Sequence, residues 1–90
     1  MTEKINYTFN FNQKQCIGSL KRIGFGDSSK RRGRHFKFAP PANIMVKILP
    51  GKPSFIIVPK HKELKVQRLI IQELYEMGGE ELVKLFIENL

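Results

Sequence analysis

Ile5, Tyr7, Phe9 and Phe11 alternate with Asn6, Thr8 and Asn10 at the start of the chain. A period of two predicts a half-buried strand or an extended arm over residues 1–11. The pattern then changes to a helical one. Asn12 suits an N-cap, and Gln15 stands three residues on, as in a capping box. Phe11 and Cys16 hold the positions of a hydrophobic staple around that cap. Cys16, Ile17, Leu20 and Ile23 share one face at helical spacing, and Gly24 suits the position just past a helix end. A helix is therefore predicted over Asn12–Ile23.

Gly26–Gly33 is rich in turn formers and basic residues. A short strand follows at Arg34–Phe38, with Phe36 and Phe38 facing the core and His35 and Lys37 facing away. Pro40-Pro41 interrupts pairing. Ile44–Leu49 reads as a further strand, Pro50–Pro53 as a turn and Phe55–Val58 as a buried strand closed by Pro59. From Lys65 the period returns to 3.6, and Val66, Leu69, Ile70, Leu74 and Met77 share a face. Gly78-Gly79 breaks this helix. Glu80 and Glu81 then favour a new helix N-terminus, and Leu82, Val83, Phe86 and Leu90 form its apolar face. The predicted class is α+β: a small antiparallel sheet of two or three strands with helices packed on one face.

The chain has 90 residues, so residues 1–90 are expected to form one domain with a modest core. No apolar run reaches the length of a membrane span. The segment MTEKINYTFN lacks the apolar stretch of a signal peptide, and one cysteine cannot staple the fold, so a cytoplasmic setting is expected. The formal net charge is +8. It is unevenly placed. Residues 1–62 hold 13 Lys and Arg against two acids, Glu3 and Asp27, a net of +11. Residues 63–90 hold three bases and six acids, a net of −3. Such asymmetry points to a polyanionic partner, against the alternative of a merely solvated basic surface.

The charge peaks in Lys30-Arg31-Arg32-Gly33-Arg34-His35-Phe36-Lys37. Arg and Lys suit phosphate as fork and point charge, and Gly33 lets phosphate approach the backbone. His35 is the one group of this segment that changes charge near neutral pH, so it is the candidate general acid or base; as a plain phosphate contact it needs no such role. Lys60, Lys62 and Lys65 extend a basic rim near a helix N-terminus, with His61 a solvated loop residue among them. Phosphate contact is thus expected from Lys30, Arg31, Arg32, Gly33, Arg34, Lys37, Lys60, His61, Lys62 and Lys65, and the charge by itself allows DNA as well as RNA. The two histidines and Cys16 lack zinc-ligand spacing, so no metal or other cofactor is expected. Phe36 and Phe38 read as core rather than as stacking platforms for bases. A DNA-binding reading lacks a recognition helix, because the main helix turns its apolar face to the core and carries Glu73 and Glu76.

Several of these segments, in this order, resemble the HicA family of toxins, small mRNA interferases of type II toxin–antitoxin systems. Leu20–Phe25 is similar to the end of the family's first helix, and Arg32–Phe38 to its Gly-Ser-His signature and following aromatic strand. Phe55–His61 is similar to its apolar strand ending in Val-Pro, and Leu64–Met77 to its second helix. The resemblance covers about residues 13–86. It implies a fold like the double-stranded-RNA-binding domain, with three antiparallel strands and two helices on one face. It implies metal-independent cleavage of mRNA with His35 as the catalytic residue, and a HicB-like antitoxin as protein partner. Arg34 stands where the family has Ser. Pro40–Pro53 is longer than the family's loop, which leaves room for a hairpin arm or a strap across the site. Ile5–Phe11 extends the usual start and suits an edge strand. The alternative function is an RNA-binding module of the same fold that does not cut.

Overall fold

In the computed structural model the described residues are 10–29, 33–48, 50–51, 54–60 and 66–90. The first helix, α1, spans Gln13–Arg22. Its start is the predicted capping box: the Asn12 side chain accepts from the Gln15 N–H at 2.8 Å, and Gln15 Oε1 accepts from the Asn12 N–H at 2.9 Å. These two bonds satisfy backbone donors that a helix start otherwise leaves open. Gly24 stops α1 at a φ of 101°, a conformation that side chains other than glycine resist.

Strand β1, Gly26–Asp27, follows at once. Strand β2 spans His35–Ala39, and β3 spans Ile56–Pro59. They form one antiparallel sheet in the order β1-β2-β3, with Asp27 opposite Phe38 and Phe36 opposite Val58. Between β2 and β3 lies the one-turn helix α2, Ala42–Met45. The last helix, α3, spans Gln67–Glu88 and is interrupted at Gly79. Elements and sheet together make the predicted α+β class, a three-stranded antiparallel sheet with helices on one face, as in a double-stranded-RNA-binding domain.

The core lies between the sheet and the two long helices. Phe38, Ile56 and Val58 of the sheet are fully buried with Cys16 and Leu20 of α1 and Ile70, Leu74, Val83 and Phe86 of α3. Each large apolar side chain removed from water in this way contributes about 1.5–3 kcal/mol. Phe11 packs edge-on against Phe86, with ring centroids 5.4 Å apart. The one buried polar residue among those described, Ser19, donates its hydroxyl proton to the Phe86 carbonyl at 2.5 Å. That bond satisfies the hydroxyl and ties α1 to the second half of α3.

Five expectations are corrected. Ile44–Leu49 is not a strand: Ile44 and Met45 lie in α2, and Val46 and Lys47 in a turn. Pro41, at φ −63°, is pre-set for the position before a helix, and its carbonyl accepts from the N–H groups of both Ile44 and Met45. The described part of Pro40–Pro53 is therefore no hairpin arm; Ile44 and Ile48 pack against the core instead. The third strand is β1, inside the stretch read as a turn. Both its residues are exposed, so it carries no alternation, and only pairing to β2 defines it. On α3, Leu69 is 52% exposed while Ile71 is buried, because the helix turns its Ile70–Ile71–Leu74 stripe to the sheet. Ile57 of the expected buried strand is 40% exposed. The alternating segment before Asn10 lies outside the described residues; Phe11, its last apolar member, is buried.

Candidate nucleic-acid interface

Side chains alternate across a strand, and directly opposed residues share a face. Phe36, Phe38, Ile56 and Val58 take the helix side. His35, Lys37 and Ala39 of β2 therefore share the other face with Pro59 and Ile57, the partners of His35 and Lys37 on β3, and with Phe55, whose ring lies against the Lys37 ammonium. None of these six residues is buried. The face is open, and His35 stands exposed at one end of it.

The backbone around His35 is fixed from several sides. The Lys60 N–H donates to the Arg34 carbonyl at 3.1 Å, which makes His35–Pro59 the wide kind of antiparallel pair. Such a pair needs no N–H from Pro59, so the proline closes β3 without costing a ladder bond. The Pro59 carbonyl points off the edge of the sheet and accepts from Gln13 Nε2 of α1 at 2.6 Å.

On the other side of β2 the two-residue β1 is prolonged by serines. The Ser28 N–H donates to the Lys37 carbonyl at 2.8 Å, and Ser29 Oγ accepts from the Lys37 N–H at 2.8 Å. Ser29 also turns back on Asp27, its N–H donating to Asp27 Oδ1 at 2.8 Å. Hydrogen bonds from the Ser29 side chain and then its backbone hold the Asp27 carboxyl below its ordinary value, helped by the charges of Lys21 and Lys60. Asp27 is thus an anion, hydrogen-bonded to Ser29.

The expected site residues divide. Arg34 and His35 are adjacent and exposed, and Gly33 beside them is half-buried. Lys37 shares the face of His35 but leans away from it: its Nζ lies 3.9 Å from the centre of the Phe55 ring. Lys60 follows Pro59, and its Nζ sits 5.0 Å from the ring centre of Phe36, a residue of the helix side. The end of the sheet is therefore basic on both faces. Lys30, Arg31, Arg32, His61, Lys62 and Lys65 lie outside the described residues. Among the described acids, Glu73, Glu76, Glu80, Glu81 and Glu88 belong to α3, and β2 and β3 carry none.

Phe36 and Phe38 are core, as expected, with Phe38 fully buried and Phe36 half-buried. The aromatic that reaches the open face is Phe55, which the sequence reading placed in a buried strand. Helices cover one face only, so half of an unbroken apolar run had to face outward, but which half depends on register. Gln13 and Ser29 were also missed; no local pattern marks a side chain that bonds to a distant strand. Burial pushes the Cys16 thiol up to about 12, so it stays protonated within the core. Among the described residues no helix is long and apolar enough to cross a membrane.

No protein-family model, curated protein or solved structure matches the chain.

Proposed function

We propose that this chain is a metal-independent endoribonuclease, the mRNA-cleaving toxin of a toxin–antitoxin pair, with His35 as its proton-transfer residue. The observation that carries the reading is the place of His35: exposed at the end of an open sheet face, beside Arg34, on strands with no acid. The resemblance of Arg32–Phe38 to the HicA signature and following strand, and of Phe55–His61 to the family's strand ending in Val-Pro, supports it as well.

The chemistry is written through side chains alone. The neutral imidazole of His35 takes the proton of a ribose 2′-hydroxyl. The oxygen attacks the adjacent phosphorus, the bond from phosphorus to the 5′-oxygen breaks, and that oxygen takes a proton from imidazolium or water. The products are a 2′,3′-cyclic phosphate and a 5′-hydroxyl. Arg34 offers a planar donor fork to the phosphorane, where negative charge builds up. Lys37 and Lys60 hold flanking phosphates, one on each face of the sheet end, with Lys30, Arg31, Arg32, Lys62 and Lys65 adding charge from the neighbouring segments. In this reading the chain works in the cytoplasm, where mRNA is, and a HicB-like antitoxin of acidic character covers the basic end.

The test is digestion of end-labelled RNA by the purified protein, with and without EDTA. His35→Ala should lower the cleavage rate by about 10²–10⁴-fold with an unchanged melting temperature. Full activity in the folded His35→Ala protein rules the reading out. A second reading, RNA binding without cleavage, is favoured by one observation. Two proton transfers are needed, and His35 is the one histidine among the described residues. That reading expects salt-sensitive RNA affinity and no product.

A further inference from the structure

The cleavage reading leaves part of the open face unused. Phe55 is half-buried there with the Lys37 ammonium 3.9 Å from its ring centre, and Ile57 beside it is 40% exposed. Phe55 is four residues along the strand pair from the His35 rung, roughly 13 Å at the usual rise.

We infer that this apolar, cation-flanked face is a stacking platform for the bases of single-stranded RNA, with Phe55 as its anchor. The inference rests on the RNA reading above and adds to it the form of the substrate and the residue that grips it. Charge selects the occupant: His35 and Lys37 share the platform's face and no acid lies on β2 or β3, so it suits a polyanion. The half-buried Phe55 ring and the exposed Ile57 select the form. A duplex buries its base faces against one another, whereas an unpaired strand offers each base as a flat apolar plate. A surface contact between ammonium and ring is weaker than base–aromatic stacking. An arriving phosphate therefore draws the Lys37 ammonium off Phe55, and a base takes its seat. The stacked base is a neighbour of the cleavage point along the strand, so Phe55 sets where the RNA is held relative to His35.

The test separates binding from cutting. The probe is a short single-stranded 2′-O-methyl RNA carrying one 2-aminopurine; without a 2′-hydroxyl it cannot be cleaved by the proposed route. The full chain should bind it and quench its fluorescence. Phe55→Ala and Phe55→Leu should weaken binding about tenfold or more and lose the quenching, while Phe55→Tyr keeps both. Phe55→Leu preserves the apolar packing, so its loss cannot be laid to unfolding, and circular dichroism checks the fold of each variant. Wild-type affinity and quenching in Phe55→Leu overturn the stacking assignment and leave the nuclease reading standing. Equal or tighter binding of a duplex of the same length also overturns it. A wild-type chain that binds no RNA overturns both.

Discussion

The side-chain amide of Gln13 donates a 2.6 Å hydrogen bond to the carbonyl of Pro59, the residue paired with His35. One bond thus fastens the first turn of α1 to the edge of the sheet directly across from the candidate catalytic strand end. Among the described strands β3 is at the edge of the sheet, so the acceptor is a carbonyl that no described strand pairs with. Gln13→Ala should cost about 1 kcal/mol. For a domain of this size that corresponds to a fall in melting temperature of about 4–8 °C. Thermal unfolding followed by circular dichroism measures it, and an unchanged midpoint would show that the bond contributes nothing.

Gly79 holds φ 69° and ψ −163°, a region that only glycine occupies without strain. It lets α3 break so that Leu82, Val83 and Phe86 still reach the core after Met77. Gly79→Ala should destabilise the fold by about 1–3 kcal/mol. Urea unfolding gives the value, and a stable variant would mean that the second half of α3 can be repositioned at no cost.

Two carboxyls should give the protein opposite responses to acid. Asp27 is held below its ordinary value by Ser29, so its contribution is present above the unfolded-state value and is lost as the pH falls through the lower, folded one. Glu73 is held above its ordinary value by burial and by the charge of Glu76. Its ionisation opposes folding, so stability falls as the pH rises through the unfolded and then the folded value. Asp27→Asn should therefore flatten the loss of stability on the acid side. Glu73→Gln should stabilise at neutral pH, with the gain fading in acid. Denaturant midpoints between the acid and neutral ranges test both, and parallel curves for the two variants would contradict the assignment.

Arg34 is assigned to phosphate. For a single strand, each phosphate contact adds about 0.7 to the slope of log affinity against log salt. Arg34→Ala should lower that slope by about this amount and weaken binding similarly across RNA sequences. An unchanged slope would remove Arg34 from the contact surface.

The sequence by itself determined what depends on neighbours in the chain. The Asn12–Gln15 capping box, the stop at Gly24, the break at Gly78-Gly79 and the core roles of Phe38 and Cys16 all follow from short-range hydrogen bonding, backbone sterics and periodicity. It also localised the charge around Gly33–His35. Tertiary structure decided what depends on partners far along the chain. Gly26–Asp27 became a strand because β2 lay beside it, not because of any pattern of its own. Ile44 went into a helical turn because its spacing to Ile48 serves a helix as well as its apolar run suits a strand, and Pro41 tipped the choice. Phe55 and Ile57 came to the open face, and Lys37 to the Phe55 ring, because strand register assigns faces. Register is set by pairing between segments about twenty residues apart, which no local pattern of apolar and polar positions encodes.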